Sequence, residues 1–200
     1  MYSTYFKRPI DIVLATIGLV LFMPVFVLVS FLILVSDGFP ILFMQQRIGL
    51  NGKKFRICKF RTMSVAGNKD QSGFDVGQSS RVTGIGRWLR RSKLDEMPQL
   101  LNVLFGQMSI IGPRPEVEHW TQVYDDQWAR VHSVRPGITD WSAIKFRNEE
   151  SILAASADPE MAYREEVLPK KLALYSDYVA NVSFKNDVKI LFSTIRIIFS

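Results

Sequence analysis

The most apolar part of the chain runs from Ile10 to Ser36. It contains five residues that are polar or lack an apolar side chain, namely Asp11, Thr16, Gly18, Ser30 and Ser36. About 20 consecutive apolar residues suffice to span a bilayer, so the segment is long enough. Pro24 lies at its midpoint, where a proline removes a backbone donor and kinks or breaks a helix. The pattern therefore combines a membrane-length apolar run with a helix breaker at its centre.

Basic residues stand on both sides of this segment. Lys7 and Arg8 precede it, and six more follow it: Arg47, Lys53, Lys54, Arg56, Lys59 and Arg61. Positive charge near membrane segments tends to stay on the cytoplasmic side, so both ends favour the same face. A straight helix cannot satisfy this, whereas a helix bent at Met23-Pro24 can. We therefore favour a re-entrant helix-break-helix over one transmembrane helix or a buried core helix.

Beyond the apolar segment, the pattern changes to short strands, a polar loop and helices. Asn51-Gly52 separates two strand-like stretches and predicts a β-hairpin. Residues 64–84 are rich in Gly, Ser, Asn and Asp, which predicts a surface loop, and helical periodicity begins at Ile85. After Pro136 we expect an irregular stretch, followed by a helix from about Pro159 to Ala180.

The C-terminal segment has an amphipathic pattern with helical spacing. Its apolar stripe consists of Phe184, Val188, Leu191, Ile195 and Ile198. Lys185, Lys189 and Arg196 lie off the stripe. This arrangement is typical of a helix lying in a membrane interface, although a helix packed on a soluble core has the same pattern. Both interpretations stay open at this point.

Composition narrows the possible partners. The formal net charge is +6, from 25 Lys and Arg against 19 Asp and Glu, which favours nucleic acid, an anionic membrane or phosphorylated substrates. Cys58 is the single cysteine, so an internal disulfide is excluded and a reducing compartment is favoured. Two histidines and one cysteine cannot form a zinc cage without carboxylates.

Asp95 and Glu96 are the first candidates for chemistry. Pro98 is tolerated in the first turn of a helix, so a helix should start between Asp95 and Met97. Adjacent residues on a helix point about 100° apart, which would let one carboxylate act as a nucleophile and the other hold Mg²⁺. The alternative is a cap, with Asp95 alone or in a capping box with Ser92.

Several arginines and lysines could hold phosphate beside this pair. Arg114 lies between two prolines in "GPRPE", and Arg135 precedes a proline in "VRPGIT". A rigid backbone reduces the entropy lost when an arginine grips phosphate, although either motif alone could be a surface turn with a solvated arginine. The candidates for phosphate binding are Arg114, Lys59, Arg61, Arg90, Arg91 and Arg135.

Four motifs occur in an order that resembles a known family. They are "FKRPIDIVLA", "RIGLNGKKFRICKFRTM", "LRRSKLDEMPQLLNVLFGQMSIIGPRPE" and "RPGIT". With the Pro24 helix they cover nearly the whole chain and resemble the bacterial sugar transferases, the small monotopic phosphoglycosyl transferases. The resemblance implies transfer of a sugar 1-phosphate from a UDP-sugar to polyprenyl (undecaprenyl) phosphate, the first membrane-committed step of bacterial glycoconjugate synthesis.

The resemblance also implies roles for individual residues. Asp95 would be the nucleophile that carries a covalent phosphosugar, and Glu96 would take part in catalysis and in the Mg²⁺ site with Asp95. Arg114 would hold phosphate or nucleotide, with Lys59 as a further candidate. Three positions depart from the family pattern: Met23 replaces a frequent serine, Asp140 a common glycine, and Tyr175 an acidic residue.

The expected fold is α+β and mostly helical, with a re-entrant helix-break-helix, a small β-hairpin and interfacial amphipathic helices. Residues 1–40 would form the anchor and 41–200 the catalytic domain, on the cytoplasmic face of the bacterial inner membrane. The expected partners are a UDP-sugar, polyprenyl phosphate and membrane lipids, without nucleic acid. The alternative is a membrane-anchored basic nucleic-acid-binding or scaffold protein without catalysis, for which the net charge is the main support.

Overall fold

A computed structural model describes residues 2–64 and 81–198, so most of the predicted loop at 64–84 lies outside the described residues. A π-helical turn, Tyr2–Phe6, opens the described chain. The α-helices are α1 (Lys7–Leu21), α2 (Met23–Asp37), α3 (Gly84–Ser92), α4 (Gln99–Leu104), α5 (Glu118–Thr121), α6 (Asp125–Val131), α7 (Trp141–Lys145), α8 (Glu149–Ala154), α9 (Pro159–Ala162), α10 (Leu168–Ala180) and α11 (Phe184–Ile198). The strands are β1 (Leu42–Ile48), β2 (Lys54–Phe60), β3 (Ser109–Ile111) and β4 (Gly137–Thr139). The predicted mostly helical α+β composition is confirmed.

The apolar segment forms two helices, α1 and α2, bent by 60° at Phe22. Pro24 lies in the first turn of α2, where a missing N–H leaves no intrahelical bond unmade. Phe22 N–H donates to the Gly18 carbonyl and Phe26 N–H to the Phe22 carbonyl, both at 2.9 Å. The helical hydrogen bonds of α1 therefore end at Phe22, and those of α2 begin at the same residue. Phe22 itself contributes no side-chain cap.

Within the described part of the chain, no single helix is long and apolar enough to cross a membrane. The bent pair passes that test when its two halves are taken together, on length and composition.

The predicted hairpin is confirmed: β1 and β2 pair antiparallel from Leu42↔Phe60 to Ile48↔Lys54. The turn between them uses positive φ at Asn51 (54°) and Gly52 (73°), as Asn-Gly sequences favour. Residues of β2 are buried against both halves of the bent pair, because Ile57 clusters with Ala15 and Phe60 with Val29. The hairpin therefore lies across α1 and α2.

The second half of the chain packs around aromatic residues and a short parallel pair, β3 and β4. Trp120, Trp128 and Tyr175 are buried in its main cluster. The stretch after Pro136, which we expected to be irregular, contains β4, α7 and α8, because the Asp140 side chain caps α7 and β4 pairs with β3. The predicted helix of residues 159–180 is confirmed as α9, a π-helical turn (Tyr163–Val167) and α10.

The predicted C-terminal helix is confirmed as α11, but its apolar stripe is divided between two environments. Leu191 packs partly against a cluster around buried Ile190 and Tyr178. Phe184 and Ile195 are exposed, and so is Phe192 beside the stripe. One side of α11 therefore packs on the protein while another leaves apolar side chains open.

Candidate active site

Glu96 lies at the centre of a compact ion cluster. Lys59 Nζ from β2 is 2.9 Å from Glu96 Oε1, and Arg114 Nη1 is 3.1 Å from Oε2 while Nη2 bonds Oε1. Burial raises the pKa of Glu96, but Arg114 and Lys59 outweigh it and hold that pKa well below the ordinary carboxyl value. Glu96 is therefore an anion with two cations bound to it.

Asp95 is adjacent in sequence and differs from Glu96 in its environment. It is 7% exposed, and its Oδ1 is buried without a hydrogen-bond partner among the described residues. Burial raises the pKa of Asp95 and the neighbouring Glu96 raises it further, against the cations Lys59 and Lys93. A buried carboxylate oxygen without a donor is costly, so this oxygen is available to bind a ligand.

The backbone around the pair explains how this arrangement arises. Lys93 adopts a left-handed conformation (φ 58°) at the end of α3, and Leu94–Glu96 then form a 3₁₀ turn. The helix we expected to start at 95–97 begins at Gln99, after the pair. The capping alternative is wrong for the described chain: Ser92 Oγ bonds the Trp88 and Leu89 carbonyls, and Asp95 caps neither the 3₁₀ turn nor α4.

Arg114 reaches Glu96 from a rigid crossing of two backbone segments. Gly112 N–H donates to the Thr139 carbonyl at 3.1 Å, and Gly137 N–H donates to the Pro113 carbonyl at 2.9 Å. A Cβ on Gly137 would lie 2.1 Å from the Gly112 nitrogen, so only glycine allows this approach. These contacts hold the "GPRPE" and "VRPGIT" segments together and fix the backbone position of Arg114.

Two of the residues that depart from the family pattern lie in the electrostatic environment of Arg114. Glu96 raises the pKa of Arg114 most, and Tyr175 and Asp140 add to that effect. Asp140 accepts hydrogen bonds from Ser142 and Ala143 N–H, while its Oδ2 is buried without a partner in the described chain. Tyr175 accepts a hydrogen bond from Ser142 Oγ at 3.0 Å. Asp140 therefore adds to the negative charge around Arg114.

Three of the other predicted phosphate-binding residues, Arg61, Arg90 and Arg135, donate hydrogen bonds to groups outside this cluster. Arg61 Nη2 donates to the Asp37 and Gly38 carbonyls at 2.7 and 2.8 Å. Arg135 Nε donates to the Gly106 carbonyl at 3.0 Å, beyond the end of α4 opposite to Asp95. The last turn of α3 holds Arg90, whose Nε donates to Thr62 Oγ1 at 3.0 Å, and exposed Arg91. Among the described residues, Lys59 and Arg114 are the two candidates that the structure bonds to Glu96.

Sequence reasoning missed a second buried network, built on Glu116. Its Oε1 accepts from Arg47 at 2.8 Å and its Oε2 from the Tyr163 hydroxyl at 2.9 Å. Lys171, itself paired with Glu149, lies 3.3 Å from the Tyr163 hydroxyl. The detectable sequence feature was an acidic residue two positions after Arg114, in a stiff Pro-Arg-Pro context.

Asp95 and Glu96 are the ligands expected for Mg²⁺. Among the described residues no group of three or more Asp, Glu, His or Cys is arranged to hold a metal ion. Mg²⁺ in proteins commonly uses one or two carboxylates and takes its other ligands from water and substrate phosphates. The orphaned Asp95 oxygen beside Glu96 fits that mode of binding.

Comparison with known proteins finds matches along nearly the whole chain. A model of the bacterial sugar transferase family matches residues 2–200. The exopolysaccharide production protein ExoY of Rhizobium meliloti (strain 1021) is 34% identical over 204 residues, covering 94% of this chain and 83% of the relative.

Two longer relatives carry names that state a reaction. The UDP-glucose:undecaprenyl-phosphate glucose-1-phosphate transferase of Escherichia coli (strain K12) is 37% identical over 194 residues. The UDP-N-acetylgalactosamine-undecaprenyl-phosphate N-acetylgalactosaminephosphotransferase of Aeromonas hydrophila is 36% identical over 203 residues. The matches cover 94% and 98% of this chain but only 39% and 44% of these relatives.

Proposed function

Because the chain belongs to the bacterial sugar transferase family, we propose that it transfers a sugar 1-phosphate from a UDP-sugar to undecaprenyl phosphate. Two matched relatives are named for reactions of this kind. The observation that carries the proposal is Asp95, a buried carboxylate with an unpartnered oxygen, next to a glutamate held by two cations. This is the environment of an activated anionic nucleophile.

The reaction proceeds in two displacements at phosphorus. An Asp95 carboxylate oxygen attacks the sugar-linked phosphorus of the UDP-sugar, the bridging P–O bond breaks, and UMP leaves with the bridging oxygen. A phosphate oxygen of the lipid then attacks the same phosphorus and displaces Asp95 as a free carboxylate. The products are UMP and a polyprenyl diphosphosugar, and Asp95 ends in its starting form.

Lys59 and Arg114 supply positive charge where the diphosphate has to lie. Both are held in place by Glu96, so little reorganisation is needed when the negative charge of the transition state develops. Glu96 orients the two cations and keeps their charge in the site. Arg114, with its planar fork, suits a phosphate better than a lysine would.

Asp95 and Glu96 would hold Mg²⁺ together with substrate phosphate oxygens. The ion would neutralise charge on the diphosphate and on the leaving UMP. Removal of divalent cations by EDTA should abolish UMP release, and added Mg²⁺ should restore it.

The bent pair is proposed to enter the cytoplasmic leaflet of the inner membrane and to return to the same face, as a monotopic anchor. A lipid acceptor implies association with a bacterial membrane, and residues 1–40 carry the exposed apolar side chains of α1 and α2. Residues 41–200 would lie at the surface, with α11 in the interface. Cysteine labelling tests this topology: probes at Tyr5 and Phe39 should both react from the cytoplasmic side only.

The activity is tested with the full chain and defined donors. UDP-glucose and UDP-N-acetylgalactosamine are supplied in turn with Mg²⁺, first alone and then with undecaprenyl phosphate, as part of a panel of UDP-sugars. We expect one donor to release up to one equivalent of UMP without acceptor and to leave a phosphosugar on Asp95, detected by mass spectrometry. UMP release that requires the lipid, with no label on Asp95, would contradict the covalent route. The absence of UMP from every donor would contradict the transferase itself.

A further inference from the structure

Three polar residues stand on the first two turns of α1, a helix whose other exposed side chains are apolar apart from Thr16. One of them, Asp11, is 4% exposed, and its Oδ1 accepts a hydrogen bond from Ile110 N–H of β3 at 3.0 Å. Another, Arg8, donates to the Leu104 carbonyl at the end of α4 at 3.2 Å. An apolar anchor needs neither bond, and ionisable groups in such segments are costly unless they have a role.

The third polar residue, Lys7, connects α1 to α11. Its Nζ lies 2.5 Å from Asp187 Oδ2, and Asp187 is 5% exposed. The Tyr2 hydroxyl donates to the same oxygen at 2.8 Å. The Tyr178 hydroxyl lies 2.8 Å from Asp187 Oδ1 and 3.2 Å from the Ile111 carbonyl of β3. Asp11 links α1 to β3 directly, through Ile110 N–H. Asp187 links them by a second route, through Lys7 on α1 and through Tyr178, which lies next to the Ile111 carbonyl.

Both routes end on elements that carry the candidate site. β3 ends at Ile111, and Arg114 follows three residues later through the braced Gly112. The 3₁₀ turn with Asp95 and Glu96 leads into α4, which packs on α1 where Val103 meets Ala15. Because Arg114 is bonded to Glu96, a shift of α1 relative to β3 would move Arg114 and the Asp95-Glu96 pair as one unit relative to the membrane-facing helix.

Building on the transferase function proposed above, we propose that Asp11 and Asp187 are positioning residues. They fasten α1 to β3 and thereby hold Arg114 and the Asp95-Glu96 pair at the height where a lipid phosphate embedded in the membrane meets Asp95. The first displacement uses a soluble donor and does not depend on that height. The second displacement uses the membrane-embedded acceptor and does depend on it.

The two displacements can be measured separately in matched variants. Asp11→Leu removes the acceptor for Ile110 N–H, whereas Asp11→Asn keeps an oxygen at the same place. Asp187→Asn removes the charge that holds Lys7, and Asp177→Asn, an exposed acid of α10 bonded to Asn181, is its control. Each protein receives the donor that the wild type uses, then either undecaprenyl phosphate in vesicles or water-soluble geranyl phosphate in detergent.

We expect Asp11→Leu and Asp187→Asn to lose at least about tenfold in transfer to undecaprenyl phosphate. UMP release without acceptor and transfer to geranyl phosphate should stay within about twofold of wild type, as should every rate of Asp11→Asn and Asp177→Asn. An equal loss in both displacements, or no loss with the membrane acceptor, would overturn the positioning role.

Hydrogen exchange gives a second readout that does not depend on catalysis. In vesicles, amides of residues 109–112 should exchange at least about tenfold faster in Asp11→Leu than in wild type or Asp11→Asn. Unchanged exchange at residues 109–112 would mean that Asp11 does not fasten α1 to β3, even if activity falls. If the wild type releases no UMP from any donor, the proposed function fails, while the exchange comparison still decides whether α1 restrains β3.

Discussion

Two glutamates with mostly buried side chains, one bonded to Arg114 and the other two positions after it in the sequence, are used in opposite ways. Glu96 binds Lys59 and Arg114, and Glu116 binds Arg47 and Tyr163. In both cases neighbouring cations outweigh burial and lower the pKa of the carboxyl group. The difference lies beside them, because Glu96 stands next to Asp95 with its unpartnered oxygen.

We call the Glu96 cluster open because Asp95, with its unpartnered Oδ1, stands beside it. By contrast, we call the Glu116 network closed. Both oxygens of each glutamate are bonded within the fold, and Glu116 Oε1 also accepts a hydrogen bond from Val117 N–H at 3.0 Å. The polar groups of the Glu116 network can only stabilise the fold that surrounds them. In the Glu96 cluster, Arg114 keeps part of its side chain exposed and Asp95 has an oxygen to offer. Activity should therefore be concentrated in the open cluster, and stability in the closed network.

Asp95→Asn should give the largest effect on activity. The amide cannot attack phosphorus, and we expect turnover to fall at least about 10⁴-fold, in line with the loss of other covalent nucleophiles. The variant should remain folded, since it replaces a buried carboxylate whose Oδ1 has no hydrogen-bond partner among the described residues. UMP release and thermal unfolding in detergent measure the two properties. Turnover within about tenfold of wild type would remove Asp95 from the nucleophile role.

The same substitution, arginine to lysine, can be made in both clusters. Arg114→Lys alters the Glu96 cluster, and Arg47→Lys alters the Glu116 network. A lysine cannot bond both oxygens of Glu96 or grip phosphate with a planar fork. We expect kcat/KM for the donor to fall about 10²-fold in Arg114→Lys, the loss typical of one transition-state donor. In Arg47→Lys it should change less than about threefold. Similar losses in both variants would mean that the clusters are not functionally distinct.

Glu116→Gln should reverse that pattern. It leaves Arg47 without its charged partner in a largely buried place, and breaking such a pair costs about 3 kcal/mol or more. The free energy of unfolding should drop by about that amount, while the rate of UMP release well below the unfolding transition stays within about threefold of wild type. A stable but inactive Glu116→Gln would show that the closed network also serves catalysis.

Features encoded by neighbouring residues could be predicted from the sequence. The Asn51-Gly52 hairpin, the break at Pro24 and the helix of residues 159–180 all depend on local turn chemistry, proline geometry or periodicity, and all are confirmed. The Asp95-Glu96 pair and Arg114 were also identified from short motifs. The structure adds that one cation from each of two distant segments meets Glu96.

The remaining features depend on contacts between distant segments. Arg47 and Glu116 are 69 residues apart, and Lys7 and Asp187 are 180 apart, so no local pattern relates them. Arg61 resembled a phosphate ligand because a basic side chain near an active-site strand has that appearance. The structure shows it bonded to carbonyls at the end of α2. Asp11 was visible in the sequence as a lone acid in the apolar segment, but no local pattern pointed to Ile110 as its partner.

The smallest expected effect is the difference between Lys59 and Lys93 in how far each lowers the pKa of Asp95. Burial and Glu96 raise the pKa of Asp95, and Lys59 lowers it more than Lys93 does. The nucleophile has to be ionised, so UMP release should decline as the pH falls through this raised pKa, which gives the acid limb of the pH profile. Lys59→Met removes the larger opposing charge, raises the pKa of Asp95 further and should move the acid limb to higher pH. Lys93→Met should move it in the same direction by less, and a limb that stays in place in Lys59→Met would mean that a group other than Asp95 sets it.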